Sequence, residues 1–306
     1  MKFTIFTPTY NRAHILKRLY ESLESQTMID FEWLIVDDGS VDSTKEYVRK
    51  IQSKSSFRIE YIYQDNLGKQ AAYNTGIVNA KSKFFICVDS DDQIKNKCLE
   101  ILDKTWCLLD DNEKKYCAGI VFLDCDLEGK LIGTKLPLIK FSNMYDLYHK
   151  HSVVGDKGIM FQTRILKDYK FPIENGESFI TEAVLYNRIS RIYSFYCLNN
   201  ILEIRDYQKD GLSSKYEQLI LENPLGNSIY FNELNFYEER FIQRIKNDAV
   251  SIKLKLLGKV PVLNIYRKSL NKKHFLFGFV LGVLMYTKAK LRKFAQNFRL
   301  GVVNDT

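Results

Sequence analysis

A chain of 306 residues has room for one large domain and an appendage. Its six cysteines lack paired spacing and its four histidines are scattered, which excludes a disulfide framework and a zinc set and suits reduced thiols in a cytosolic protein. The net charge of +8 is uneven: Ser251 to Thr306 holds twelve Lys or Arg against Asp305 alone, so +11 sits there and residues 1–250 carry −3.

The amino terminus passes directly into an extended apolar run at 3–7, which leaves no room for a signal peptide. That run ends in Pro8-Thr9-Tyr10-Asn11-Arg12. Ile15, Leu16, Leu19, Tyr20 and Leu23 then recur at helical spacing. A second strand at 31–36 ends in Asp37-Asp38-Gly39-Ser40, and Asp42 or Ser43 caps the next helix. A third strand at 59–63 leads through Asn66-Leu67-Gly68-Lys69 into a helix over 70–80. The fourth, Phe84-Phe85-Ile86-Cys87-Val88, runs into Asp89-Ser90-Asp91-Asp92. Three carboxylates in four residues repel one another and resist burial, so they belong at a solvent-facing strand tip, where a divalent cation could lie among them and grip a diphosphate. Asp124-Cys125-Asp126 has the same form but runs into Leu127-Glu128-Gly129-Lys130, a hairpin turn. The alternation of strand and helix predicts an α/β fold with a mostly parallel sheet, whose ligands bind at the carboxyl ends of its strands. No Gly-x-Gly-x-x-Gly or Gly-x-x-x-x-Gly-Lys-Ser/Thr occurs, so dinucleotide dehydrogenases and phosphate-loop NTPases are excluded.

Thr7-Pro8-Thr9-Tyr10-Asn11-Arg12, Val36-Asp37-Asp38-Gly39-Ser40, Asn66-Leu67-Gly68-Lys69-Gln70-Ala71-Ala72-Tyr73-Asn74-Thr75-Gly76 and Val88-Asp89-Ser90-Asp91-Asp92 stand in the order and spacing of one family. Together they resemble the inverting glycosyltransferases of family 2, which have the GT-A fold, in the branch found in bacterial surface-polysaccharide clusters. The resemblance covers the first hundred residues and implies a nucleotide-sugar donor, a UDP-sugar first, with Mn²⁺ or Mg²⁺. Pro8 would direct the chain off the first strand and Tyr10 would lie against the base. Asp38, acceptor-only when ionised, suits the imide N–H of uracil. Gly68 would let the backbone approach the ligand, and Lys69 would place a charge near phosphate or base. Asp89 resembles the family's ribose- or metal-side carboxylate, and Asp91 the residue that coordinates the cation. Asp92 either shares the metal or caps the following segment.

The resemblance also places a general base at a helix start, where Glu-Asp is followed six residues later by Arg. Aligning on Arg188 puts Glu182 at the base position and Thr181 where a Glu normally stands. Glu177 is the second candidate. Asp156 and Lys157 are read as lining the acceptor side or as a turn, and Tyr207 and Asp210 as contacts of a late loop with the donor. The altered Thr181-Glu182 pair leaves a second reading open, a catalytically degenerate partner subunit.

The expected domains are 1–213, catalytic, and 214–306, a helical region with an apolar stripe of Tyr230, Leu234, Tyr237 and Phe241 that Pro224-Leu225-Gly226 interrupts early. Phe275 to Tyr286 is apolar, too short to span a bilayer, and flanked by Lys272, Lys273, Lys288 and Lys290. Such a segment suits an anionic membrane surface, with packing on a second copy of the chain as the alternative; nucleic acid is not expected. The resulting expectation is a peripheral protein on the inner face of the plasma membrane that acts on a lipid-linked saccharide.

Overall fold

The sheet is built from nine strands: β1 (Phe3–Thr9), β2 (Phe31–Asp38), β3 (Arg58–Gln64), β4 (Phe84–Cys87), β5 (Gln93–Ile94), β6 (Cys117–Cys125), β7 (Phe141–Ser142), β8 (Lys157–Gln162) and β9 (Ser194–Ile204). They come from a computed structural model that describes residues 1–174, 176–208, 211, 215–270 and 272–303, with side chains as far as Leu291. The spatial order is β3-β2-β1-β4-β8-β6-β9-β5, with β7 paired to β9. Among the described residues β1, β2, β3, β4, β6 and β9 run one way, while β5, β7 and β8 run the other.

β1 and β2 are buried at every position, as expected of central strands covered on both faces. The Leu16–Glu24 helix buries Leu16, Leu19 and Leu23 against this sheet, the face that its spacing predicted. The Thr44–Gln52 helix adds Val48 and Ile51 to the same core. Each fully buried side chain of this size contributes about 1.5–3 kcal/mol of transfer free energy. Trp33 is enclosed with its indole satisfied, because Nε1 donates to Thr7 Oγ1 at 2.9 Å. None of the six cysteines, all among the described residues, is in a disulfide.

The chain divides into two compact units. The first holds residues 1–171 and 185–214; the second holds 172–184 and 215–306. A single division at 213/214 therefore leaves out the segment 172–184, which packs with the C-terminal helices. Ser178 N and Phe179 N donate to Asn223 Oδ1 at 2.7 and 3.2 Å, and Thr181 N donates to Asn227 Oδ1 at 3.2 Å. Buried backbone donors need such partners, and residues more than forty positions downstream supply them here.

In the second unit the stripe Tyr230, Leu234, Tyr237 and Phe241 does not lie on one helix. The Pro224–Leu234 helix stops before Asn235, and the next runs Phe241–Leu257. Asn235 Nδ2 donates to Asp248 Oδ1 at 2.6 Å and to the Arg244 carbonyl at 3.3 Å, tying the turn to the second helix. The expected break at Pro224 is present: the Tyr216–Glu222 helix ends at Asn223, and Pro224 opens the next, in a first turn where its missing N–H has no intrahelical partner to lose.

Candidate active site

The carboxyl ends of β1 and β2 are stitched together by side chains. Asn11 adopts φ 53°, a left-handed conformation that Asn tolerates better than most residues. Its backbone N–H donates to Ser40 Oγ at 2.8 Å, and its Oδ1 accepts from Val41 N at 2.8 Å and Asp42 N at 3.3 Å. Arg12 N donates to Thr44 Oγ1, and the Asp42 carboxylate accepts from Thr44 N and Ala13 N. Pro8 is buried in the closing residues of β1, opposite Val36. Tyr10 follows it and leaves its ring about half exposed.

The next loop is organised by Asp38. Oδ1 accepts from Gln64 Nε2 at 2.7 Å and Leu67 N at 3.0 Å, and Oδ2 accepts from Gly68 N at 2.8 Å. An ionised carboxylate offers about four lone-pair sites, so one on Oδ2 remains for a further donor. Gly39, at φ +87°, has no room for a side chain, since a Cβ would lie 2.8 Å from Asn66 N. Gly68, at φ 92°, ends this loop and caps the Lys69–Asn79 helix.

At the tip of β4 the three aspartates take three different environments. Asp89 Oδ2 accepts from Lys69 Nζ at 2.8 Å and lies 3.9 Å from Arg205 Nη1. Burial opposes its ionisation, but Lys69 and then Arg205 outweigh that and hold the carboxyl below its ordinary value. Asp91 has no ion pair among the described residues; burial, with the charge of Asp89 added, raises its carboxyl above the usual range despite Arg12 and Lys69 nearby. Asp92 is buried and accepts from Arg205 Nη1 at 2.8 Å and from Asp206 N at 3.0 Å. Of the two roles open to Asp92, the geometry is that of an anchor for the chain leaving β9.

Arg205 is the hub that the sequence did not reveal. Its Nε donates to Asp124 Oδ2 at 2.9 Å, and its Nη2 lies 3.2 Å from Glu203 Oε1. The expected hairpin turn forms at Leu127-Glu128-Gly129-Lys130, with Asp126 accepting from Glu128 N and Lys130 N, whereas Asp124 before it is fully buried and also accepts from Gly158 N. One guanidinium cannot neutralise four carboxylates. Glu203, fully buried, is pushed well above the carboxylate range, by burial first. A lone cation closing a strand at the same sheet edge as the aspartates was the available signal.

Arg12 and Lys69 therefore act electrostatically on both Asp89 and Asp91 at the sheet edge where ligands were expected. No group of three or more His, Cys, Asp or Glu that could hold a metal ion forms among the described residues. Asp91, an under-compensated carboxylate beside a second one, nonetheless fits Mg²⁺ or Mn²⁺. Such ions bind through one or two carboxylates and complete their shell with phosphates and water.

The remaining expected residues are distributed as follows. Glu182 is half-buried in the residue before the Ala183–Ser190 helix, within the second unit. Glu177 accepts from Leu225 N at 2.6 Å and Gly226 N at 2.7 Å, holding the first turn of the Pro224–Leu234 helix. It serves as a helix-terminal anion, so Glu177→Ala should destabilise the fold by about 1–2 kcal/mol in urea titrations and leave kcat within about twofold. A loss of kcat by two orders of magnitude at unchanged stability would make it the base instead. Lys157 is buried, its Nζ donating to the carbonyls of Ile132, Val154, Gly155 and Asp156, so it closes a turn. Tyr207 donates to Asp156 Oδ2 at 2.8 Å, and Asp210 lies outside the described residues.

Comparison with known proteins bears on the family and the fold. Over 103 residues the chain is 38% identical to the glycosyltransferase GlyA of Streptococcus pneumoniae serotype 4, covering 34% of this chain and 15% of that protein. Over a further alignment of 103 residues it is 32% identical to the GalNAc(5)-diNAcBac-PP-undecaprenol beta-1,3-glucosyltransferase of Campylobacter jejuni, covering 33% of each. The chain thus spans a third or less of these relatives. Residues 1–349 of S. aureus TarS, in complex with UDP-GlcNAc, share the fold with a TM-score of 0.58 at 17% identity, over 98% of this chain and 92% of that one. The mixed sheet, most of whose strands run one way, is therefore the GT-A arrangement. Residues 4–169, more than half of the sequence, match the family model described as Glycosyl transferase family 2, and the chain belongs to that family.

Proposed function

We propose that this chain moves a sugar from a UDP-sugar to a lipid-linked saccharide, with inversion, in the assembly of a bacterial capsule, O-antigen or exopolysaccharide. The observation that carries the reading is the ion pair of Lys69 with Asp89 at 2.8 Å, with Arg12 and Asp91 within electrostatic reach of it. They stand at a sheet edge whose neighbouring loop is ordered by Asp38. Tyr10 lies against the base, and the remaining lone pair of Asp38 takes the uracil imide N–H. Lys69 and Arg12 face the diphosphate, with the N-terminus of the Lys69–Asn79 helix adding partial positive charge. Asp91, with Asp89 beside it, would hold Mn²⁺ or Mg²⁺, which when bound neutralises charge on a departing nucleoside diphosphate. Glu182 takes the proton of the acceptor hydroxyl as that oxygen attacks the anomeric carbon and the bond to diphosphate breaks.

The UDP-GlcNAc complex of TarS supports a uridine donor, and the undecaprenol in the name of the Campylobacter relative supports a lipid-linked acceptor. Such an acceptor fits a peripheral protein on the inner face of the plasma membrane. Thr181-Glu182, in place of the usual Glu-Asp, favours a second reading, a partner subunit that keeps the fold without transferring sugar. The two separate in one assay: purified protein with a panel of radiolabelled nucleotide sugars, Mn²⁺ and a lipid-linked saccharide extract. Label should enter the lipid fraction, and Glu182→Gln should cut that rate by about a hundredfold or more, the scale of a lost general base. No incorporation from any donor by the wild-type chain would leave only the partner reading.

A further inference from the structure

The helix Phe275–Val303 has two unlike faces. One carries Gly278 and Gly282 and packs on the Phe241–Leu257 helix. A Cβ at Gly278 would lie 2.8 Å from Asp248 Cβ, and one at Gly282 would lie 2.9 Å from the Ala249 carbonyl. Glycines four apart let two helix backbones approach closely. The other face carries Leu276, Val280, Leu284 and Leu291, a stripe at helical spacing with Phe277 beside it. These five side chains are 54–68% exposed. The short helix Val262–Arg267 adjoins it, since the Tyr266 and Phe275 rings lie 5.1 Å apart. It adds exposed Val262, Leu263 and Tyr266, and Leu270 follows.

Charge says what covers this surface. Between residues 259 and 291 stand Lys259, Arg267, Lys268, Lys272, Lys273, Lys288 and Lys290, all exposed, with no Asp or Glu. On a helical projection Lys290 and Lys288 flank the apolar stripe on opposite sides. A second copy of the chain would bring the same cations against themselves in a two-fold contact. An anionic lipid surface accepts both components at once, with apolar side chains entering the headgroup boundary while lysine stems bend their ammonium groups to the phosphates. Among the described residues no helix is long and apolar enough to cross a membrane, so the contact is one of lying on the bilayer.

We propose that the outward face of the Phe275–Val303 helix, joined by Val262, Leu263 and Tyr266, docks on an anionic bilayer. This surface belongs wholly to the second unit and does not depend on the donor reading. The test uses the full chain and no nucleotide sugar, with sedimentation on vesicles of phosphatidylcholine alone or mixed with phosphatidylglycerol. The protein should sediment with the mixed vesicles, weakly with the neutral ones, and less as salt is raised. Phe277→Ser with Leu284→Ser should lower the partition coefficient by about a hundredfold, and the thermal midpoint should hold because both side chains are already exposed. Lys272→Glu with Lys273→Glu should weaken binding to mixed vesicles only. No sedimentation of the wild-type chain with the mixed vesicles would overturn the proposal. So would a lipid-free dimer in light scattering that the serine substitutions convert to monomer, since the face would then belong to a second copy.

Discussion

Asp91→Asn is expected to lower sugar transfer by about 10²–10³ in kcat, the scale of a lost electrostatic contact to charge that develops in the transition state. Asp89 is already paired with Lys69, and Asp92 faces Arg205, so neither is placed to take over. The loss should deepen at low Mn²⁺ and ease partly as Mn²⁺ rises, which a titration of rate against metal reads directly. The fold should not suffer. The Asp91 carboxyl is raised above its ordinary range by burial and by Asp89, so removing its charge relieves repulsion. The thermal midpoint of the variant should equal or exceed that of the wild type. Wild-type rates at every metal concentration would remove Asp91 from the metal site, and a large fall in midpoint would make it structural.

Arg205→Met is expected to cost stability first, by about 3–5 kcal/mol, because removing one partner leaves buried carboxylates uncompensated. Asp92 and Asp124 bond to that guanidinium directly, and Glu203 and Asp89 lie within 4 Å of it. The sign of the pH dependence follows. Without Arg205 the folded-state values of these carboxyls rise, so the stability that the variant retains is greatest at acid pH and falls as pH rises through them. Urea unfolding of wild type and variant at acid and neutral pH should therefore show a gap that widens toward neutrality. A gap of constant size would mean that the lost packing, not the lost charge, is responsible. Arg205→Lys should recover part of the stability, since one ammonium cannot reproduce a fork that serves Asp92 and Asp124 together.

Much of the site was legible because its pieces are local. An apolar run of strand length ending in Asp89-Ser90-Asp91-Asp92 states both an element and its edge. The three-and-four spacing of Leu16, Leu19 and Leu23 states which helix face is buried. Gly68 before Lys69 marked a loop-to-helix junction, and the left-handed backbone at Gly68 is what only glycine accepts without strain. The apolar block at 275–286 with its flanking lysines was equally plain from composition.

Neighbourly patterns thus determined the strands, the helices between them, the polar clusters at the sheet edge and the basic C-terminal segment. Tertiary structure alone decided what each of Asp89, Asp91 and Asp92 meets. Asp92 meets a residue 113 positions later and Asp124 meets the same residue 81 positions later, separations that no periodicity encodes. It likewise decided that Glu177 steadies a helix nearly fifty residues downstream, and that the stripe from Tyr230 to Phe241 breaks at Asn235. The physical reason is the same in each case. A charged or amide side chain taken out of water must find its partner wherever the fold brings one, and the cost of leaving it unpaired exceeds any local preference.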